Sequence, residues 1–128
     1  MAGNAVPLLV IGDAVGVAPA AFVSARVHPG ESVASYMMEG LIQHLLSDTP
    51  EAKFLRSRLT FYLVPMLNVD GVINGNYRTN LLGTDLNRQW TAPDASLHPE
   101  VYRLKSLMLG AADGGRIALI TDFHGHSW

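Results

Sequence analysis

Residues 25–32 read ARVHPGES. An apolar run, AAFVSARV at 20–27, ends on His28, turns through Pro29-Gly30 and sets Glu31 just ahead of a helical pattern. On an extended strand, residues three apart send their side chains to opposite faces. Pro at the second and Gly at the third position of a type II turn would instead reverse the chain and bring its first and fourth residues together. His28 and Glu31 would then face one ion. A packing turn with a surface glutamate explains these four residues too, so the metal reading makes a demand on the rest of the chain. A catalytic zinc takes three protein ligands and keeps one position open, and His₂Glu is one such set.

The flanking sequence shows what kind of scaffold carries this turn. AVPLLVIGD and AAFVSARV are apolar runs bounded by Gly or Pro and read as strands. SVASYMMEGLIQHLLSD reads as a helix with Ser32 as N-cap and Val33, Met37, Leu41 and Leu45 on one face. LTFYLVPML is continuous enough in apolar character for a buried strand. A long Gly- and Asn-rich segment, NVDGVINGNYRTNLLGTDLNRQWTAPDAS, follows with no sustained period and is expected to be a functional loop. A second helix starts near Pro99 with Leu97, Val101, Leu104 and Met108 on one side, and RIALITDF is a last strand leading into HGHSW. This order predicts an α/β fold, a mixed sheet flanked by helices. HPGE, the long loop and HGHS each follow a strand, where chemistry collects in such sheets. TDFHGHS offers two histidines, His124 and His126, for the missing ligand. His44, inside a helix, and His98, beside a helix start, read as structural or surface residues.

Composition narrows the function classes. The chain has 128 residues, 48% of them hydrophobic and 16% charged, with net charge −2 and no cysteine. Disorder is not expected from such a balance, and there is room for at most one domain. Without thiolates, any zinc must be held by His, Asp or Glu. No basic stripe with interleaved aromatics points to nucleic acid. Asp13, Pro7, Pro19 and several glycines interrupt the apolar start, which reads neither as a signal peptide nor as a membrane span. A soluble, cytoplasmic chain is the expectation.

Four blocks in order, FVSARVHPGES, YLVPMLNVDGVINGNYR, GTDLNRQW and DFHGHS, cover roughly residues 20–127 and resemble the zinc metallocarboxypeptidases. Within them the resemblance is to the cytosolic carboxypeptidase branch that trims acidic tubulin tails. The resemblance implies one zinc ion held by His28, Glu31 and His124, with His126 outside the ligand set. It implies that Arg78 polarises the scissile carbonyl, that Asn87 and Arg88 grip the substrate's terminal carboxylate, and that Asp85 hydrogen-bonds the outer nitrogen of His28. Asn74, Gly75 and Asn80 read as turn residues of a surface connection. The activity implied is hydrolysis of C-terminal residues, glutamate among them, from peptide or protein tails by zinc-activated water.

The sequence departs from that pattern in two places. Val69 stands where the family usually has proline. The family's general-base glutamate lies well downstream of the third ligand, whereas this sequence ends at Trp128. Residues 1–128 are therefore expected to be the N-terminal part of one catalytic domain. Two rival readings remain: a zinc- and tail-binding module without turnover, and an amidohydrolase relative acting on N-acyl amino acids.

Overall fold

A computed structural model describes residues 2–125; His126 and Trp128 lie outside the described residues. Four strands form one sheet in the order β1-β3-β2-β4, with β1 at Leu9–Ile11, β2 at Ala20–Ala25, β3 at Thr60–Val64 and β4 at Ile117–Phe123. β2 is parallel to both β3 and β4, while β1 pairs antiparallel with β3. The expected mixed sheet is therefore present, and its three parallel strands end on the same side.

Alternation along β2 explains why the sheet needs helices on both faces. Ala20 and Phe22 join Val64, Val101, Leu104 and Met108 in one core, and Phe22 stacks on Tyr62 with ring centroids 4.9 Å apart. Ala21, Val23 and Ala25 join Phe61, Leu63, Ala34, Met38 and Leu45 in the other. Helix α1 (Val33–Leu46) covers the second face and α4 (Pro99–Asp113) the first. Every residue of β2 is buried, as a central parallel strand requires. β4 forms one edge, and Leu119 and Ile120 there are half exposed.

Several sequence expectations need correction. The buried face of α1 is Ala34, Met38 and Leu45, whereas Val33 and Met37 are exposed. Residues four apart advance about 40° around a helix at each step, so a run of i+4 positions spirals off any one face. Ser32 does occupy the N-cap position of α1, but its side chain makes no capping bond. Leu97 precedes α4 and is exposed; Glu100 is buried beside Val101, Leu104 and Met108 instead.

Two helices were not expected at all. α2 (Pro50–Arg58) starts at Thr49, whose hydroxyl accepts from the Ala52 amide. α3 (Val69–Asn74) lies inside the supposed unstructured loop, and a 3₁₀ turn follows at Leu86–Arg88. Asn68 caps α3 by accepting from the Gly71 amide, and Gly75 closes it in the left-handed conformation. Val69 is thus the first residue of a helix, where proline is favoured but not required. Asn80 is no surface turn residue: it is buried, its carbonyl oxygen accepts from the Leu82 and Thr84 amides, and its amide donates to Leu97 O.

Candidate metal centre

His28 lies just beyond the end of β2 and is buried. The turn after it does bring Glu31 back, with the Glu31 amide 3.3 Å from His28 O. It is not the expected type II turn, because Gly30 is not among the glycines with positive φ. Glycine is needed at this position for closeness. A Cβ there would run into the Tyr77 ring, and the Gly30 amide donates to Tyr77 O at 2.7 Å. The turn is thereby docked onto the segment that carries Arg78 and Asp85.

The third residue arrives by strand register. Parallel pairing of β2 with β4 sets Ser24 opposite Asp122 and Ala25 opposite Phe123, which delivers His124 to the level of the turn. His28 Nδ1 stands 2.8 Å from Glu31 Oε1, and His124 Nδ1 2.9 Å from Glu31 Oε2. The candidate ligand atoms of the three residues all lie within 4.8 Å of one another, and the two imidazole rings are 4.9 Å apart.

Each ring's other nitrogen meets an acid. His28 Nε2 is 3.1 Å from Asp85 Oδ1, the contact expected for Asp85. His124 Nε2 is 2.8 Å from Asp122 Oδ2, close enough to pair but off the line of a hydrogen bond, and Ser24 Oγ donates to Asp122 Oδ1 at 2.7 Å. Sequence reading missed Asp122. The only signal for it was its place near the end of a strand, two residues before His124. Gly125 was missed as well: its amide donates to Glu31 Oε2 at 2.9 Å, and a Cβ there would meet Val33 Cγ1 at 2.5 Å.

The electrostatics follow from these contacts. Burial pushes the Glu31 carboxyl up, but the Gly125 amide, His124 and His28 together outweigh it and hold the group below the usual glutamate range. Burial also raises Asp85, and His28, the Asn87 amide and Arg78 together bring it below the ordinary aspartate value. Both acids are therefore anions at neutral pH. Asp85 holds Arg78 too, with Nε donating to Oδ2 at 2.9 Å, and the Arg78 side chain is half exposed.

Asn87 and Arg88 sit on the 3₁₀ turn whose start Asp85 caps. Asn87 Oδ1 accepts from Trp90 Nε1 at 3.0 Å, which orients the side-chain amide. Arg88 is exposed, and among the described residues its guanidinium makes no hydrogen bond or ion pair. The structure brings His28, Glu31, His124, Asp85 and Arg78 into one connected group. Asn87 and Arg88 join that group through their backbone amides, which donate to Asp85 at 2.9 Å and 3.1 Å.

A zinc ion suits this donor set. Two imidazole nitrogens and a carboxylate converge, and acids face the outer nitrogens, the arrangement that fixes the tautomer of a metal-binding histidine. Ligands about 2.1 Å from a tetrahedral ion lie about 3.4 Å apart, so the contacts at 2.8 Å and 2.9 Å would need to open only slightly.

Residues 1–127 match the family model described as zinc carboxypeptidase. Mouse cytosolic carboxypeptidase 1 is 52% identical over 110 residues, covering 85% of this chain and 9% of that protein. The chain thus spans about a tenth of that curated relative. A putative carboxypeptidase A from Shewanella denitrificans superposes with TM-score 0.87 at 37% identity, over 94% of this chain and 31% of its own. A metallo-carboxypeptidase from Pseudomonas aeruginosa, solved in complex with (2-guanidinoethylmercapto)succinic acid, gives TM-score 0.85 at 37% identity, over 94% and 32%.

Proposed function

This chain belongs to the zinc carboxypeptidase family, and from that premise we propose that it carries the metal-binding and substrate-gripping part of a zinc-dependent carboxypeptidase. The substrate class is the C-terminal tail of peptides or proteins, with glutamate as the residue removed and tubulin as one such protein. A cytosolic setting is proposed from the names of the relatives; no described helix is long and apolar enough to cross a membrane. The observation that carries the reading is the double apposition of His28 and His124 on the two oxygens of Glu31, at 2.8 Å and 2.9 Å.

His28, Glu31 and His124 would hold one zinc ion, which supplies a Lewis acid and a bound water of pKa about 7. Asp85 would accept a hydrogen bond from the His28 Nε2–H and so keep the Nδ1 lone pair directed at the centre. Arg78, anchored through Nε, would use its remaining N–H groups to stabilise charge developing on a carbonyl oxygen. Arg88 and the side-chain NH₂ of Asn87 bind the terminal carboxylate, for which a planar fork suits better than a point charge. Proton transfer is assigned to the downstream glutamate that the family resemblance implies.

The test joins metal content to end recognition. Wild-type chain should bind one zinc per molecule, and His28→Ala or His124→Ala should abolish that while His44→Ala leaves it intact. A peptide ending in glutamate should bind, and amidating its terminus should weaken binding at least tenfold. Equal zinc loss in all three variants, or indifference to amidation, would overturn the reading. In a longer chain that includes the downstream glutamate, zinc and tail binding still without cleavage would favour the binding module, and cleavage of N-acyl amino acids alone the amidohydrolase.

A further inference from the structure

Arg26 has no role in the reading above, yet it has the most constrained backbone near the metal centre. Among the described residues it is the one non-glycine residue with positive φ, at 60°. An L side chain crowds its own carbonyl in that region, so the conformation survives only where its surroundings over-determine it. The backbone does part of this. The Leu67 amide donates to Ala25 O at 2.9 Å, the Asn68 amide to Arg26 O at 3.1 Å and Asn68 Nδ2 to Val27 O at 3.3 Å. The side chain does the rest. Nε and Nη2 both donate to Pro29 O, at 2.9 Å and 2.5 Å, and Nη1 donates to Ser35 Oγ at 2.7 Å.

One guanidinium therefore ties the carbonyl that sits between the two ligands of the turn to the first turns of α1. We propose that Arg26 is a positioning residue for the metal centre. Its left-handed backbone redirects the chain as it leaves β2, and its fork fixes His28 and Glu31 relative to each other and to α1. The inference rests on reading His28 and Glu31 as ligands. Lysine cannot replace this fork, because a single ammonium lacks the planar set of donors that reaches one carbonyl twice and a hydroxyl once. Ser35 is the fork's second anchor.

The two demands on Arg26 can be separated. Glycine accepts φ of 60° without strain, so Arg26→Gly keeps the chain path and removes only the fork. Arg26→Lys keeps the charge and the strain. Ser35→Ala removes one bond and touches neither ligand. The measurements are the zinc dissociation constant by chelator competition, the visible spectrum of the Co²⁺-loaded chain, and the melting midpoint without metal. Arg26→Gly is expected to melt within about 5 °C of wild type and to bind zinc about 10–100-fold more weakly. Its Co²⁺ bands should shift. Arg26→Lys should lose affinity to a similar degree, and Ser35→Ala should show a smaller but measurable loss.

Unchanged zinc affinity and an unchanged Co²⁺ spectrum in Arg26→Gly would overturn the proposal. If Arg26→Gly does not fold, Ser35→Ala decides: lost affinity at an unchanged midpoint supports the fork, and unchanged affinity refutes it. Failure of the wild-type chain to bind zinc at all would instead refute the ligand reading, and this inference with it.

Discussion

Replacing Asp85 by asparagine tests the centre at its most connected atom pair. Oδ1 accepts from the Asn87 amide at 2.9 Å and contacts His28 Nε2 at 3.1 Å, while Oδ2 accepts from Arg78 Nε at 2.9 Å. An amide has the same shape but only one acceptor. With its oxygen toward His28, its NH₂ meets the Arg78 N–H donor to donor. With its NH₂ toward His28, the ring must accept at Nε2 and carry its proton on Nδ1, the atom facing Glu31. The first arrangement is the cheaper one. It keeps the His28 bond but turns it from a charge-assisted into a neutral one, a loss of about 1–1.5 kcal/mol, or roughly tenfold in zinc affinity. Asp85→Ala removes the partner entirely and should approach the upper end of the 10–100-fold loss usual for such contacts. Competition against a chromophoric chelator at neutral pH should therefore rank wild type above Asp85→Asn above Asp85→Ala. Equal affinities within twofold for all three would show that Asp85 does not set the His28 tautomer.

Gly125→Ala should weaken zinc binding and cost about 1–3 kcal/mol of stability by overpacking, because its Cβ would lie 2.5 Å from Val33 Cγ1; thermal melts and chelator competition measure both, and a neutral result would count against the close approach. Glu100 is buried at the start of α4, lining a cavity of about 420 Å³, and among the described residues its Oε2 has no hydrogen-bond partner. Burial pushes its carboxyl above the ordinary 4.5, with the charge of Asp70 adding to the rise. The folded state thus holds this proton more tightly, so its contribution is best below pH 4.5 and is lost as pH rises through the raised value. Glu100→Gln should accordingly stabilise the chain at neutral pH by about 1 kcal/mol and leave it unchanged in acid; denaturant melts at both pH values check this. Asp70 behaves oppositely. Burial raises it, but the Asn4 side chain and the amides of Ala2, Asn4 and Gly3 hold it below 3.8, so its stabilisation is present above that pH and lost as pH falls further. Asp70→Asn should flatten the acid limb of a melting-midpoint-versus-pH curve, and an unchanged limb would remove Asp70 as its cause.

Much of this arrangement was legible because its signals are local. Apolar runs bounded by Gly or Pro marked β1 and β2, continuous apolar character marked β3, a last apolar run marked β4, and the three candidate ligands follow strand ends. Other features were written locally and passed over. Thr49-Pro50 ahead of α2 and the Asn68…Gly75 frame around α3 are ordinary start and stop signals, hidden by the expectation of one long loop. The remainder could not be read locally. Ser24 and Asp122 are 98 residues apart and meet only through the β2–β4 register. Gly30 looks like a type II turn residue until Tyr77, far along the chain, is found against it. Arg26 gives no sequence sign of a left-handed backbone, since arginine is not a residue that prefers it.

The register that builds the centre also couples it to an edge strand of the described sheet. β2 is buried throughout and paired on both sides, while β4 pairs with β2 alone and exposes Leu119 and Ile120. Two candidate ligands follow β2 and the third follows β4, so an ion held by all three would fasten the edge strand to the central one. Metal that binds only the assembled state stabilises it by RT ln(1 + [L]/Kd), about 2.7 kcal/mol at a hundredfold excess over Kd. That gain should fall on openings that separate β4 from β2, and local opening free energies vary across a fold. Zinc should therefore slow hydrogen exchange along Ile117–Phe123 much more than along β1, the three-residue strand at the opposite edge, which holds no ligand. His124→Ala should erase the difference. A uniform slowing of both edges would mean that metal stabilises the chain only globally, and that the three residues do not bridge β2 and β4.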